Sequence, residues 1–388
     1  MKLKKTMRWF GPHDTVTLQH LKSANLDGIV TALHQIPVGD IWTVAAIQER
    51  KKLLEEAGLP WLVVESLPVH EEIKQHRGDF KRHIEHYKIS IENLAACGIK
   101  IITYNFMPIL DWIRTDHFHT NDNDTKTLVY NHSAFIYFDI EVLKRPGAKS
   151  EYTEKELSDA LAYGKALSDE ERQQLSRYIL TALPGSKDDF TPQLLLDLLE
   201  DYKHVGSTEL RNNLIYFLKE VIPVAERAGV YMTIHPDDPP FPLMGLPRIM
   251  STEQDANQIF TAVPSGSNGL CYCTGSFGAN ASNDLLKILD RYNDRIHFVH
   301  LRNVTRSGSK EFRESGHLEG NVPMKEVIAK LLKINEARNI LLPMRPDHGL
   351  LYPEDNQTNY YPGYSFTGRL KGLEQLRQLE EELIESNE

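Results

Sequence analysis

The chain has 388 residues, of which 41% are hydrophobic and 25% charged, with a net charge of −10 at pH 7. This composition is typical of a folded, water-soluble protein and excludes disordered and collagen-like classes. The acidic balance disfavours nucleic-acid binding, and the lack of any run of about 18 apolar residues disfavours a membrane span. Three cysteines are too few for a disulfide framework, and no apolar signal core follows the basic N-terminus. We therefore expect a reduced, cytoplasmic protein without a nucleic-acid or membrane partner.

Short apolar runs alternate with helical stretches in the first part of the chain. The runs predicted to be strands are Met7–Phe10, Gly28–Leu33, Trp61–Glu65 and Ile99–Asn105. The helices predicted between them are Val16–Ala24, Trp42–Ala57 and Phe80–Cys97. Continuous Ile, Val and Leu runs, rather than strict alternation with polar residues, predict strands that are buried on both faces.

This alternation stops between about residues 115 and 207. Leu128–Ile140 could form a hairpin, and a capping-box pattern predicts a helix over Ser168–Leu183. Thr191 followed by proline predicts a further helix over Gln193–Tyr202. We therefore expect a single domain, 1–388, in which residues 115–207 form a mainly helical insertion after the fourth strand.

The strand–helix alternation resumes after the insertion. The predicted strands are Val230–His235, Gly269–Cys273, Ile296–Leu301 and Ile340–Met344. The predicted helices are Leu210–Ala228, Thr252–Val263, Asn283–Tyr292, Val322–Arg338 and Leu370–Ile384. Eight βα units in sequence predict an α/β protein of the (β/α)₈ TIM-barrel class. A doubly wound sheet is disfavoured because residues 11–14, after the first strand, do not form a glycine-rich phosphate loop.

Potential metal ligands end each of the last four predicted strands. They are His235, Cys273, His300 and Asp347. In a barrel, the carboxyl ends of consecutive strands lie side by side at the catalytic face, and these residue types are common metal ligands. Each residue alone has a structural explanation, but four at equivalent positions favour one metal site. Cys271 lies deeper on its strand, so we expect it in the core.

Several motifs along the chain resemble those of the D-mannonate dehydratase family, within the xylose-isomerase-like barrel group. They are Met7–Pro12, Ile29–Pro37, Asp111–Asp116, His235–Pro240, Cys273–Ser276, His300–Asn303, Arg345–Gly349 and Tyr361–Ser365. The resemblance extends from about residue 7 to 370. Two departures are Asp40, where glutamate is usual, and Ile113, where threonine is common. Neither is a proposed ligand.

The resemblance implies that the same four residues bind one Mn²⁺ or Fe²⁺ ion per chain. The donor set by itself would favour zinc, which also binds more tightly than manganese or iron. A hydroxy-acid substrate needs open coordination positions for its oxygens, however, and six-coordinate Mn²⁺ or Fe²⁺ supplies these more readily. We therefore expect Mn²⁺ or Fe²⁺.

The resemblance also implies a reaction, the removal of water from D-mannonate, which is a small anionic sugar acid. His348 and Tyr364 are the candidates for general acid and base, and the sequence does not distinguish their roles. His317, Arg114, Arg302 and Arg345 are the candidates for substrate binding, because arginines pair with carboxylates and His317 can contact the sugar chain. Structural ion pairs are the alternative role for the arginines.

Two other functions fit the same fold. One is a metal-dependent sugar isomerase or epimerase, although such sites more often have carboxylate-rich ligand sets than one with cysteine. The other is a non-catalytic, metal-bound sugar-binding protein, which would bind its ligand without turnover. The insertion can form a homodimer interface or cover the site, and the sequence favours neither.

Overall fold

The computed structural model describes residues 1–181 and 190–386. The strands in this part of the chain are β1 (Lys4–Arg8), β2 (Gly28–Thr31), β3 (Trp61–Glu65), β4 (Ile101–Tyr104), β5 (Asp116–Thr120), β6 (Lys126–Tyr130), β7 (Tyr231–Ile234), β8 (Asn268–Cys273), β9 (Ile296–Leu301), β10 (Asn303–Gly308), β11 (Glu311–Ser315) and β12 (Pro343–Pro346).

The α-helices are α1 (Leu18–Ser23), α2 (Val44–Glu56), α3 (Glu71–Gln75), α4 (Phe80–Ala96), α5 (His132–Tyr137), α6 (Glu154–Ala166), α7 (Asp169–Leu180), α8 (Pro192–Asp201), α9 (Ser207–Ala228), α10 (Glu253–Ala262), α11 (Thr274–Gly278), α12 (Leu285–Arg291), α13 (Met324–Arg338) and α14 (Phe366–Glu385). Short π- and 3₁₀-helical segments lie at Phe138–Val142, Ala148–Glu151 and Pro353–Asp355. None of the described helices is long and apolar enough to cross a membrane.

Eight parallel strands close into a barrel in the order β1-β12-β9-β8-β7-β4-β3-β2. Closure occurs where Lys4 of β1 pairs with Pro343 of β12. The predicted (β/α)₈ barrel is thus confirmed. The last strand begins later than predicted, at Pro343, where a proline is tolerated because the first residue of a strand need not donate a ladder hydrogen bond.

The main core lies between the barrel and its surrounding helices, where apolar faces of the helices pack on the outside of the strands. A separate small cluster fills the barrel interior and consists of Val30, Val63, Cys271 and Phe298. All four side chains are fully buried. Cys271 is therefore a core residue, as predicted, and the cluster forms the floor beneath the strand tips.

The chain leaves the barrel between β4 and α9. In the described part of this segment, β5 and β6 form a hairpin and α5–α8 follow it. The hairpin predicted at Leu128–Ile140 is wrong, because Asn131 caps a helix there: its side-chain oxygen accepts the N–H of Ala134 at 2.8 Å. The predicted helix end at Leu183 lies outside the described residues.

The β5–β6 hairpin belongs to a second, four-stranded sheet of order β10-β11-β6-β5. Its other two strands directly follow β9, the seventh barrel strand in sequence. Phe312 of β11 pairs with Tyr130 of β6, and Tyr130 and Phe312 stack at a centroid distance of 5.8 Å. This small sheet therefore ties the segment after β4 to the carboxyl end of β9, at the face where the strand tips lie.

Candidate metal centre and active site

Three of the predicted ligands converge at the carboxyl ends of neighbouring strands. His235 follows β7, Cys273 ends β8 and His300 lies in β9. Cys273 and His300 are directly paired in the barrel register. One potential ligand atom from each of the three residues lies within 4.8 Å of the others. The barrel topology thus brings together residues that are far apart in the sequence.

The two imidazole rings are oriented for a shared cation. His235 Nδ1 donates to the carbonyl oxygen of Pro236 at 2.7 Å, so the neutral ring has its lone pair on Nε2. His300 Nε2 lies 3.3 Å from a carboxylate oxygen of Glu65 and 3.1 Å from Arg345 Nε. Arg345 Nε has a nearer acceptor in Glu65, at 2.9 Å, whereas the carboxylate needs a proton on Nε2, so a lone pair on Nδ1 is favoured. His235 Nε2 and His300 Nδ1 then face each other at 3.2 Å. Two facing lone pairs repel each other unless a cation or a proton lies between them. The two ring nitrogens therefore fit a metal ion as ligand atoms.

The Cys273 side chain is in the form that binds metals. Its burial opposes ionisation, but the charge of Arg302 and the adjacent imidazoles of His235 and His300 outweigh burial, and they lower the pKa of the thiol well below its ordinary value. The Ser276 hydroxyl also donates to Cys273 Sγ at 3.3 Å. A thiolate between two imidazoles is a strong ligand set for a transition metal.

Asp347, the fourth predicted ligand, lies at the edge of this group. One of its oxygens is 3.8 Å from His300 Nδ1, and it is not among the three residues whose ligand atoms lie within 4.8 Å of one another. Burial opposes ionisation of Asp347, but the charges of Arg345, His348 and Arg302 lower its pKa well below the ordinary value. The carboxylate is therefore ionised and within reach of His300.

Glu65 organises the site from the opposite wall, and sequence reasoning missed it. Its carboxylate accepts hydrogen bonds from Arg8 at 3.0 Å and from Arg345 at 2.8 and 2.9 Å, besides its contact with His300. It ends β3, which is the position that marked the four predicted ligands in the later strands. The same strand-end position therefore marks Glu65 in the sequence, although the predicted ligands all lie on the last four barrel strands.

His348 and Tyr364, the predicted proton-transfer residues, lie side by side. Their ring centroids are 5.3 Å apart with an interplanar angle of 87°, and both residues are buried. His348 has φ of 48°, in the left-handed region that few non-glycine residues adopt. Burial and the nearby Asp347 charge raise the pKa of Tyr364, so its phenol keeps its proton at neutral pH.

The three arginines predicted to bind substrate all pair with protein carboxylates. Arg114 is fully buried and binds both oxygens of Asp238, at 2.8 and 3.1 Å, and one of Glu314, at 2.8 Å. Arg302 donates to Asp238 at 2.7 Å. Arg345 pairs with Glu65 and Asp347. In this structure all three arginines thus form ion pairs with protein carboxylates, as the alternative role for them described.

His317, the remaining predicted substrate contact, is buried on the loop after β11. Burial lowers its pKa to about 4, so its ring is neutral near pH 7. Its Nε2 atom has no hydrogen-bond partner among the described residues. A buried ring nitrogen without a partner is available to a ligand.

A second cluster of possible ligands, His70, Glu72 and His83, does not fit a metal ion. The two imidazoles stack at a centroid distance of 3.8 Å and an angle of 16°, so their in-plane lone pairs run parallel and do not converge. His70 Nδ1 also already accepts the backbone N–H of Glu72 at 3.1 Å. This cluster serves to cap α3 and to pack it against α4.

The fold and the site together define a (β/α)₈-barrel enzyme with a group of possible metal ligands at its strand tips and the ionisable side chains of His348 and Tyr364 at the same end of the barrel. A family model, D-mannonate dehydratase (UxuA), matches residues 2–388. The chain belongs to this family.

Individual relatives agree with this assignment. The chain is 45% identical over 383 residues to a mannonate dehydratase of Chromohalobacter salexigens, covering 97% of this chain and 98% of that one. It is 43% identical over 382 residues to a mannonate dehydratase of Saccharophagus degradans, covering 97% and 96%. The crystal structure of mannonate dehydratase from Streptococcus suis serotype 2 superposes with a TM-score of 0.79 at 33% identity, covering 100% of this chain and 95% of that one.

Proposed function

We propose that this chain is a hydro-lyase that removes water from D-mannonate and forms 2-dehydro-3-deoxy-D-gluconate. The observation that carries the proposal is the group of His235, Cys273 and His300 at adjacent strand tips, beside His348 and Tyr364, in a member of this family. A sugar isomerase or sugar-binding protein on the same barrel is less well supported, because the relatives at 43–45% identity described above are mannonate dehydratases.

We assign the metal site to His235, Cys273, His300 and Asp347, holding one Mn²⁺ or Fe²⁺ ion. The support is the converging lone pairs of the two imidazoles, the lowered thiol pKa and the adjacent carboxylate. A divalent ion bound there supplies a Lewis acid that stabilises the negative charge developing on the substrate carboxylate.

The reaction needs a base and an acid on this chain. The C2 proton is weakly acidic, so a positioned base must remove it, and the C3 hydroxyl must be protonated to leave as water. We assign His348 as the base and Tyr364 as the acid, because the raised pKa of Tyr364 keeps its proton available. The C2–H pair of electrons forms the C2–C3 double bond as the C3–O bond breaks. The enol then tautomerises to the keto acid.

Substrate contacts are proposed on the basis of free hydrogen-bonding capacity. His317 Nε2 is buried without a partner, which suits a sugar hydroxyl. The terminal nitrogens of Arg114, Arg302 and Arg345 pair with protein carboxylates, although the Nε atoms of Arg114 and Arg302 are buried without a partner among the described residues. We therefore propose that their main role is to hold the acidic residues of the site in position.

Three further expectations accompany this function. The chain is proposed to be one domain, 1–388, with 115–207 as an insertion that includes residues outside the described part. Its three cysteines are free and buried, which fits the reducing cytoplasm. The exposed Leu161 and Leu194 on α6 and α8 make the insertion the candidate surface for a homodimer, which sedimentation analysis would detect.

A single assay distinguishes these functions. D-mannonate is incubated with protein stripped by a chelator, before and after addition of Mn²⁺, Fe²⁺ or Zn²⁺, and keto-acid formation is followed. We expect no product from the stripped protein and restored activity with Mn²⁺ or Fe²⁺. Full activity without metal would refute the metal assignment. Turnover of a neutral ketose but not of D-mannonate would favour an isomerase, and binding without turnover would favour a sugar-binding protein.

A further inference from the structure

His348 Nδ1 faces two groups that make opposite demands on it. Arg302 Nη1 lies 2.9 Å away, and a carboxylate oxygen of Glu314 lies 3.1 Å away. An arginine N–H can only donate, so it requires an unprotonated Nδ1, whereas a carboxylate can only accept, so it requires Nδ1–H. A neutral imidazole carries one ring proton. If Nδ1 carries this proton, Nε2 does not, and the reverse. Nε2 is the ring nitrogen that remains for the substrate.

The surroundings favour Glu314 as the partner. Arg302 Nη1 has two other acceptors within reach, since oxygens of Glu314 and Asp347 each lie 3.5 Å from it. If Nδ1 were unprotonated, the Glu314 carboxylate would face its lone pair at 3.1 Å in a buried site, which is strongly unfavourable at low dielectric. With a proton on Nδ1, Glu314 has its donor, and Arg302 Nη1 must direct its hydrogens to the oxygens of Glu314 and Asp347 instead of the ring nitrogen.

The small sheet holds Glu314 in this place. Phe312 and Glu314 are alternate, buried residues of β11 on the same face of the strand. The Thr127 hydroxyl, on β6, donates to the backbone oxygen of Glu314 at 2.8 Å, and Arg114 binds its carboxylate at 2.8 Å. The small sheet and Arg114 thus hold Glu314 in place, and Arg302, at the end of barrel strand β9, lies 3.5 Å from the same carboxylate.

We propose that Glu314 is a positioning residue that accepts the Nδ1 proton of His348 and so keeps Nε2 unprotonated to receive the C2 proton of the substrate. This inference rests on the proposed function of His348 as base. It also gives the small sheet a part in catalysis, because the sheet carries the residue that sets the tautomer.

The first test measures the tautomer directly and does not depend on turnover. The ¹⁵N shifts of histidine-labelled, Zn²⁺-loaded protein are recorded, because zinc is diamagnetic, and the His348 signals are identified by their loss in His348→Asn. We expect a proton on Nδ1 in the wild type and its transfer to Nε2 in Glu314→Met, which removes every acceptor at this position. Asp238→Leu is the matched control, since it removes another carboxylate from Arg114 and Arg302 and should leave Nδ1 protonated. A wild-type proton on Nε2, or an unchanged Glu314→Met, would overturn the proposal.

The second test is a double-mutant cycle on D-mannonate turnover. Glu314→Met should lower kcat roughly 10²-fold, the size expected from misplacing a catalytic group, while KM and metal content stay near their wild-type values. In the His348→Asn background the same change should cost less than about threefold, because residues that act through one another are not additive. A full additional loss in that background would overturn the proposal. Glu314→Asp, which keeps the charge beside the arginines, serves if Glu314→Met does not fold, and it should give a smaller, equally non-additive loss.

These results separate failure of this inference from failure of the proposed function. If the wild-type chain does not convert D-mannonate, the proposed function fails, while the ¹⁵N shifts still decide the hydrogen bond. If it converts D-mannonate but the cycle is additive, only the role of Glu314 fails.

Discussion

Glu65 offers a sharp test of how the barrel wall supports the metal centre. One of its oxygens accepts from Arg8 at 3.0 Å and from Arg345 at 2.8 Å, and the other accepts from Arg345 at 2.9 Å and lies 3.3 Å from His300 Nε2. Glu65→Gln keeps the size and shape of the side chain but replaces one oxygen with an NH₂ group. In either orientation of the amide, its NH₂ group takes the place of an oxygen that accepted hydrogen bonds. It then faces the N–H groups of Arg345, and in one orientation also that of Arg8.

The expected losses follow from these contacts. An outer partner of a metal-binding histidine typically contributes 10- to 100-fold in metal affinity, which is about 1.4–2.7 kcal/mol. Without the carboxylate, the His300 proton is free to move to Nδ1, the nitrogen that faces the metal site. Two buried arginines also lose a counter-charge, and breaking a buried ion pair by removing one partner costs about 3–5 kcal/mol. We therefore expect Glu65→Gln to lower both metal affinity and the free energy of unfolding.

Glu380→Gln is the matched control. Glu380 is also a buried carboxylate, 2% exposed, and it pairs with Lys5 and accepts the N–H of Leu3 at 2.7 Å. It lies on α14 against the start of β1, away from the strand tips. The Glu380→Gln variant should lose free energy of unfolding of about the same size as Glu65→Gln, while its metal affinity stays within about twofold of the wild type.

The measurements are Mn²⁺ affinity by competition with a chelator of known affinity, and urea unfolding of the metal-free proteins. Metal-free protein is needed because bound ligand raises apparent stability by mass action. Unchanged metal affinity in a destabilised Glu65→Gln would refute the reasoning. Equal loss of affinity in Glu380→Gln would also refute it, since the effect would then reflect stability alone.

Two further predictions concern the site itself. Cys273→Ser should lower metal content strongly, because a serine hydroxyl is rarely ionised. Cys271→Ser should destabilise the core but leave metal content near the wild-type value. Metal analysis of both purified variants tests this difference. His348→Asn and Tyr364→Phe should each lower kcat by about 10²–10⁴-fold, the usual cost of one proton-transfer group, with about one ion per chain retained. Loss of metal together with activity would place that residue among the ligands instead.

The group of His235, Cys273 and His300 could be predicted because the barrel topology places the ends of successive strands side by side, however far apart they are in the sequence. Once eight βα units were counted, the ends of β7, β8 and β9 had to lie together, and residues 273 and 300 are indeed paired. The predicted strand bounds were less accurate for β1 and β12, the two strands that close the barrel. The first strand is Lys4–Arg8, not Met7–Phe10, because the apolar run continues past the point where pairing with β2 stops.

The partners of the arginines could not be predicted in the same way. A sequence places Arg114 and Arg302 at strand and loop ends, but it does not indicate which carboxylate each meets, since those pairings span 124 and 64 residues. Glu314 was missed for a related reason. It lies in what reads as a loop after the seventh barrel strand, and that segment becomes a strand only by pairing with β6, almost two hundred residues earlier in sequence.

The buried charges explain why the arginines need not bind the substrate. Four guanidinium groups and four carboxylates alternate in one connected network: Arg8, Glu65, Arg345, Asp347, Arg302, Asp238, Arg114 and Glu314. Their formal charges, +4 and −4, cancel within the network. A terminal guanidinium nitrogen that turned to a substrate carboxylate would leave a buried protein carboxylate short of a partner, which is costly. The arginines therefore stabilise the acidic side chains of the site as they stand.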